Sequence, residues 1–316
     1  MVEFNYAFSK NGGNLMFEKF KYIQFYLDKY FSIRMDDEKY LMMYYEKVFK
    51  KKLNLSNPKT FNEKLQWLKL NNRNNEYTAM VDKYLAKKYV GSKIGNEYII
   101  PTIGIYNNFN EIDFDALPNS FVMKCTHDSG RVIICKDKNN FNRIRAKKII
   151  NKGLKHDYYY DGREWPYKNV KKRIIIEKYM ADKANDELKD YKFFCFNGQP
   201  KYVLVCSERT KKLKETFYDT NWNIAPFKRP HHDVDNTIPK PKNFKKMLEL
   251  SSKLSNDIPF LRVDFYEING NLYFGELTFF PASGMSGFEP AIWDEKLGKN
   301  LDISKVKQNE KKESNI

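Results

Sequence analysis

"FLRVDFYEINGNLYFGELTFFPASGM", residues 260–285, places two strand-like runs on either side of "NGN", and each run carries one acid, Asp264 and Glu276. A two-residue turn at Asn269 and Gly270 pairs Ile268 with Asn271 and sets Asp264 opposite Gly275. The two acids then point to opposite faces, because side chains alternate along a strand. A three-residue loop of Asn269, Gly270 and Asn271 pairs Ile268 with Leu272 and sets Asp264 directly opposite Glu276, their Cβ atoms about 5 Å apart. Only this register gathers Arg262, Asp264, Glu276 and Thr278 on one face and leaves Leu261, Val263, Phe265 and Leu277 on the other. The odd-length loop is therefore the expectation.

Two carboxylates side by side repel each other and cost stability. A hard dication removes that cost. Mg²⁺ takes oxygen ligands, typically one or two carboxylates with phosphates and waters in the remaining positions. Arg262 adds a fixed cation able to clamp a transferring phosphoryl group. A solvated hairpin face with surface salt bridges accounts for the same residues, and the residues alone leave both readings open.

Further upstream, "FVMKCTHDSGRVIIC" reads as strand, short polar loop and strand. Lys124 closes the first strand, and the backbone N–H groups of loop 125–130 can form an anion nest. The stretch lacks the GK[ST] and following helix of a P-loop. Lys83 falls in a helical pattern, where a lysine is ordinarily a solvated side chain. "KRIIIEKYM" is a buried strand ending in charge. It suits a hinge whose backbone at Lys178 and Met180 reads an adenine edge, and it equally suits a chain that simply surfaces.

Apolar spacing predicts helix over residues 15–55, a second helix from "NPKTFNEKLQWLKL" capped by Ser56 or Asn57 with Pro58 in its first turn, and a third over 76–90. "YIIPTIGIY" predicts a short strand, "FNRIRAKKIINKGL" a helix, "YYYDGREWPYKN" an aromatic loop, and residues 240–256 a helix. "YKFFCFNGQPKYVLVCSE" predicts a hairpin turning at Asn197 and Gly198. Helices first, then antiparallel hairpins with helices, give an α+β fold. The expected divisions are a helical region at 1–56, a connecting segment at 57–120, a small lobe at 121–180, a large lobe with the metal site at 181–303, and a polar disordered tail at 304–316.

Among 316 residues, 41% are hydrophobic and 16% aromatic, enough for a sizeable core. The 56 Lys and Arg against 40 Asp and Glu give a net charge of +16. That balance favours anionic partners, although Lys, Asn and Tyr are abundant throughout the chain. The four cysteines have no CxxC or metal-ligand spacing and read as buried free thiols of a reducing compartment. The four histidines make no HExxH pattern. The N-terminal stretch has no signal-peptide hydrophobic region, and no apolar run spans a bilayer, so a cytoplasmic protein is expected.

The order of these parts resembles the ATP-grasp fold. Lys83 comes first, then Lys124 before a small-residue loop, then Glu-Lys-Tyr-Met, then Arg-x-Asp and Glu-x-Thr on a hairpin. The layout is similar to D-alanine–D-alanine ligases. Six ordered blocks over residues 40–300, from "NPKTFNEKLQWLKL" and "DKYLAKKYV" to the final hairpin, more specifically resemble TupA-type ATP-grasp proteins of surface-polysaccharide gene clusters.

The resemblance implies two α+β lobes holding MgATP. Lys83 and Lys124 would bind its phosphates, under a loop of His127, Ser129 and Gly130. Glu177, Lys178, Tyr179 and Met180 would form the adenine hinge, with Asp190 on the ribose and Lys192 on a phosphate. Asp264, Glu276 and Thr278 would hold Mg²⁺. Two departures stand out: Thr278 replaces the usual Asn, and Asp128 puts an anion in the phosphate loop.

The implied chemistry is carboxylate–amine ligation through an acyl phosphate. Arg262 would stabilise developing charge, and Gly284, with the hydroxyl of Ser283 or Ser286, would face the acceptor. The implied partners are an anionic, uronic-acid-containing glycan or its lipid-linked precursor, and an amine donor. Basic aromatic N-terminal helices suit contact with the inner face of a membrane. A sugar kinase would use the same nucleotide site without an amine. A glycosyltransferase lacks a placed DxD pair, and a nucleic-acid-binding role lacks a recognition motif.

Overall fold

The computed structural model describes residues 33–182, 188–208 and 212–306. The chain divides into two units, Met1–Leu53 and Asn54–Ile316. In the first, helix α1 (Asp37–Phe49) starts at Asp36, whose carboxylate accepts from the Lys39 amide, and stops at Lys50, which turns left-handed at φ 56°. The helix expected over 15–55 is thus shorter at its C-terminal end, and residues 15–32 lie outside the described residues.

In the second unit, α2 (Phe61–Asn71) begins at Thr60, not at Ser56 or Asn57. Thr60 and Glu63 form a reciprocal capping box, which satisfies two end amides at once. A lone Ser or Asn upstream offers less than that. The single helix expected over 76–90 is two, α3 (Glu76–Val81) and α4 (Leu85–Ile94). The Asp82 carboxylate accepts from the amides of Tyr84 and Leu85 and starts α4 anew. Lys83 sits at this break, its amide donating to the Thr126 carbonyl.

Two antiparallel sheets follow. The first contains β1 (Thr102–Tyr106), β2 (Phe121–Cys125), β3 (Val132–Cys135) and β4 (Ile174–Lys178) in the order β1-β4-β2-β3. Helix α5 (Arg143–Lys155) covers one face, burying Ala146 and Ile150 against Phe121, Met123, Ile174 and Ile176. Between α5 and β4 the aromatic connection forms a short helix α6 (Tyr159–Gly162) and a single turn at Trp165–Tyr167.

The second sheet contains β5 (Asp190–Phe196), β6 (Gln199–Ser207), β7 (Lys214–Asp219), β8 (Phe260–Ile268) and β9 (Asn271–Thr278) in the order β7-β6-β5-β8-β9. Helix α7 (Phe244–Ser255) packs Met247, Leu250 and Leu254 into the larger core with Phe193, Phe265 and Val263. Phe61, fully buried, meets Phe196, Phe260 and Phe288, and so ties α2 to this sheet. A final helix α8 (Ile292–Asn300) also packs on α2. Residues 304–306, expected in the tail, are folded: the Val306 amide donates to Ile303 and its side chain packs on the core. Residues 307–316 lie outside the described residues.

The α+β expectation holds. Both Asn-Gly turns are two-residue turns with positive φ at each residue: 47° and 80° at Asn197 and Gly198, 51° and 79° at Asn269 and Gly270. The three-residue loop expected in the second hairpin is therefore wrong, since Ile268 pairs with Asn271. Asp264 nevertheless stands opposite Glu276, because Phe265 pairs with Phe274 and Gly275 is an extra residue, a β-bulge. A Cβ on Gly275 would come within 3.1 Å of the Asp264 carbonyl oxygen and of the Tyr266 ring. The bulge restores the polar face that the short turn alone would have split. Among the described residues, no helix is long and apolar enough to cross a membrane. All four cysteines are buried and free.

Candidate functional site

β8 and β9 place Arg262, Asp264, Glu276 and Thr278 together. The Arg262 Nε donates to Asp264 Oδ1 at 2.7 Å, and its Nη2 to Asp264 Oδ2 at 2.7 Å and Glu276 Oε1 at 2.5 Å. The Thr278 hydroxyl donates to the same Glu276 oxygen at 3.0 Å. From β5, Lys192 Nζ reaches Asp264 Oδ2 at 2.7 Å and Asp190 Oδ2 at 3.3 Å.

Burial opposes ionisation of Glu276, but Arg262, Lys192, Lys83 and the Thr278 hydroxyl outweigh it and hold the carboxyl at about 2. Burial likewise works against the Arg262 cation, and Asp264 and Glu276 more than offset it and raise its pKa. Two carboxylates and a hydroxyl fit a hard dication that completes its shell with phosphate and water. Among the described residues no group of three His, Cys, Asp or Glu side chains converges to hold a metal alone. Asp264 is 1% exposed, whereas the Glu276 side chain is 43% exposed and open to a ligand.

The first sheet supplies a second cluster. Glu177, buried at the end of β4, bridges Lys87 of α4 and Lys124 of β2, the latter at 2.6 Å. Burial would raise its carboxyl, yet Lys124 and Lys87 hold it at about 2. Lys87 was not foreseen; it lies in the first turns of α4, just past the break that holds Lys83, and both lysines lie in the field of Glu177. Lys124 and Val122 share a face with Val132 and Ile134, which are 47% and 55% exposed. That combination of bare apolar surface and cations was also missed, since an isolated Val-Ile strand reads as core.

Lys83 donates to the Asp128 carbonyl at 2.5 Å, and burial pulls its ammonium down against the opposing field of Glu276. In the loop, His127 is turned inward: its Nε2 lies 3.1 Å from the carbonyls of Gly153 and His156, and it is 2% exposed. Its backbone, with Ser129 and Gly130, remains on the loop. The Asp128 anion is likewise drawn inward. Arg131 donates to it at 2.5 Å, the Ser129 amide at 2.9 Å, and His156 Nδ1 lies at 3.5 Å. Asp128 and Asp161 raise His156 to about 9. Where the adenine hinge was expected, the Lys178 amide donates to the Pro101 carbonyl, and Tyr179 and Met180 are half-buried.

After β9, Ala282, Ser283 and Gly284 turn left-handed in succession, at φ 49°, 55° and 62°. α2 holds this turn: Gln66 Nε2 donates to the Gly284 carbonyl at 2.8 Å, and Lys69 Nζ to the Ser283 carbonyl and hydroxyl at 2.8 and 3.0 Å. A Cβ on Gly284 would lie 2.4 Å from Gln66 and 3.0 Å from Leu65. Glycine is needed there by φ and by α2, independently of any reacting group.

Two antiparallel sheets with their covering helices, a carboxylate pair on the final hairpin and Lys83 in the field of Glu276 make up an α+β fold of the ATP-grasp class. The sequence profile described as TupA-like ATP-grasp matches residues 63–302, and the chain belongs to that family. No curated protein matches the chain. Among solved structures it is similar to D-alanine–D-alanine ligase from Helicobacter pylori, with 16% identity over 75% of this chain and 62% of that one and a TM-score of 0.37. It is similar to the Bacillus anthracis enzyme complexed with ATP, with 15% identity, 64% and 55% coverage and a TM-score of 0.38. The ATP-grasp ligase PsnB with minimal precursor, Mg and ADP gives 10% identity, 69% and 57% coverage and 0.36. The chain spans less than two thirds of the length of each of these structures.

Proposed function

We propose that this protein is an MgATP-dependent carboxylate–amine ligase. Its acceptor is a uronic acid of a cell-surface glycan or of its lipid-linked precursor, joined to an amino acid or other amine. The observation that carries the reading is Arg262 seated across the opposed Asp264 and Glu276, on the hairpin whose second strand leads into the left-handed turn at Ala282, Ser283 and Gly284.

Asp264, Glu276 and Thr278 would hold Mg²⁺, which when bound neutralises phosphate charge and orients the γ-phosphoryl group. Lys83, Lys124 and Lys192 meet the remaining phosphate charge, and each leaves a present partner to do so: the Asp128 carbonyl, Glu177 and Asp264. Val132 and Ile134 offer the apolar surface an adenine ring packs on. Arg262 stabilises the acyl phosphate and the oxyanion formed when the amine attacks. The net charge of +16 suits an anionic acceptor.

The test is to incubate the protein with ATP, Mg²⁺, a panel of uronates and amino acids, and to resolve products by mass. An amide product with ADP and phosphate is expected. Glu276→Gln should abolish turnover; it is a cleaner change than Asp264→Asn, which leaves Arg262 and Lys192 without a buried counter-charge. ADP formed at full rate without amine, together with a stable phosphorylated glycan, identifies a kinase and overturns the ligase reading.

A further inference from the structure

Arg229, in the connection between β7 and α7, is 5% exposed and has no carboxylate partner among the described residues. The backbone fixes its place. Lys228 and Glu289 exchange both amide–carbonyl hydrogen bonds, at 3.0 and 2.9 Å, and so join this connection to the chain just beyond Gly284. Phe227 packs on Phe288 and Trp293, with ring centres 5.6 and 4.7 Å apart, and the Arg229 guanidinium lies 4.3 Å from the centre of the Phe288 ring. From there Nη1 donates to the Ser286 carbonyl at 2.7 Å and to the Gly287 carbonyl at 3.2 Å. Glu215 and Asp294 lie in its field without pairing with it. The Asp294 Oδ1 atom accepts instead from the amide and the Nδ2 of Asn62, both at 3.0 Å.

We propose that Arg229 binds the carboxylate of the amine donor, which makes that donor an amino acid and Arg229 the residue that selects it. The inference rests on the ligase reading above and narrows its second substrate. Nη1 carries two hydrogens, and the two carbonyls take them. That leaves the edge formed by Nε–H and Nη2–H without a protein acceptor among the described residues, and neither nitrogen is sealed from solvent. Arg262 turns the same edge to Asp264, with two bonds of 2.7 Å. Two parallel N–H groups match the two oxygens of a carboxylate.

The reacting carboxylate of the uronate belongs at Arg262 and the metal-holding acids, where its oxygen meets the γ-phosphoryl group. A carboxylate on Arg229 is therefore a second one. Arg229 borders the chain after the Ser283–Gly284 turn, close enough to Arg262 for the two cations to oppose each other. An α-amino acid has its carboxyl carbon next but one to its nitrogen. Held by that carboxylate at Arg229, it keeps its amine beside the acyl carbon at Arg262. Burial, with Arg262 adding to it, brings the Arg229 guanidinium down to about 10 against the pull of Glu215 and Asp294. A carboxylate on the open edge offsets both effects, since a buried cation is stabilised by a paired and hydrogen-bonded anion.

The test uses the full-length protein with MgATP and glucuronate or galacturonate. The nucleophiles are the protein amino acids, their α-amides, and hydroxylamine, which has no carboxylate. The parent should take its best amino acid with a lower KM than the matching amide. Arg229→Gln should raise the KM for that amino acid roughly 10- to 100-fold, the loss of one charge-assisted pair, and move the KM for the amide and for hydroxylamine less than about threefold. Arg229→Lys, which keeps the charge and loses the fork, should fall between. A clamp on the Ser286 and Gly287 carbonyls alone would shift every nucleophile equally. That result, or a parent that takes the amide as readily as the acid, overturns the proposal and leaves the ligase standing. Binding is also read without turnover, from the arginine Nε–H resonance that Arg229→Lys lacks. With Mg²⁺ and a non-hydrolysable ATP analogue, the amino acid should move this resonance saturably, whereas its amide, glucuronate and glucose 1-phosphate should not. A shift with glucuronate or the sugar phosphate alone gives the site to the acceptor and overturns the assignment to the donor. A parent that forms no hydroxamate from either uronate counts against the ligase reading itself, and the resonance then decides the carboxylate site alone.

Discussion

Glu177 shows how a residue picked for one role from sequence can hold another in the fold. Its place before Lys-Tyr-Met suggests adenine, whereas its carboxylate is spent on Lys87 and Lys124. An unpaired buried charge is far more costly than a paired one, so removing one member of such a cluster destabilises strongly. Glu177→Gln should cost roughly 2–4 kcal/mol in urea denaturation at pH 7, discounted because Lys124 is 24% exposed. The pH sign follows from the direction of the shift. The folded carboxyl titrates at about 2, below its ordinary 4.5, so its contribution is complete above pH 4.5 and is lost as pH falls towards 2. The parent should therefore lose stability over that window more steeply than Glu177→Gln. Parallel pH profiles would show that the cluster contributes nothing. His127 and Ser283 teach a similar lesson: the family resemblance gave them roles, but only the packing of α5 and α2 shows what their side chains touch.

At the scale of the element, the hairpin of β8 and β9 was legible in its outcome and not in its route. Segregation of polar from apolar side chains required Asp264 opposite Glu276, and the Asn-Gly dipeptide required a two-residue turn. The two demands conflict by one residue, and Gly275 absorbs it as a bulge. A glycine inside a strand is the mark that could have signalled this. Similarly, Thr60 with Glu63 and Asp82 ahead of Leu85 were readable caps that apolar spacing overrode. Gly275→Val forces side-chain volume against the Asp264 carbonyl and the Tyr266 ring, and should cost roughly 1–3 kcal/mol. It should also lower MgATP turnover, since Glu276 is carried by the displaced backbone. Gly270→Ala is the control. No atom lies within 4 Å of its added Cβ, but φ is +79°, so about 1–2 kcal/mol of backbone strain is expected with turnover kept. If both variants keep turnover, the bulge does not set the spacing of the acids.

For the whole molecule, the sequence revealed which segments were strands but not the partner of each. Hairpin neighbours such as β5 and β6 carry a turn signal between them. The pairing of β1 with β4, with β2, β3 and α5 intervening in sequence, carries none, because long-range pairing is decided by burial of both strands at once. The pairing of β2 with β4, equally without a turn signal, sets Lys124 beside Glu177, which Lys87 reaches from α4, while Lys192, Asp264 and Glu276 gather in the other sheet. A nucleotide held by both sets stabilises the folded state in proportion to the logarithm of its concentration over Kd, about 2.7 kcal/mol at a hundredfold excess. For a unit of this size each kcal/mol raises Tm by about 2–4 °C, so saturating MgATP should raise it by roughly 5–10 °C. ATP with a chelator should give a smaller shift, because Arg262 and Lys192 then remain on Asp264 and Glu276 in place of the dication. Glu276→Gln should erase the difference between the two conditions while keeping the chelator-insensitive part, which belongs to the lysines and the apolar face of β3. A Tm that responds equally to ATP with and without Mg²⁺ in the parent would remove Asp264 and Glu276 from the metal site and return them to a structural ion-pair network with Arg262.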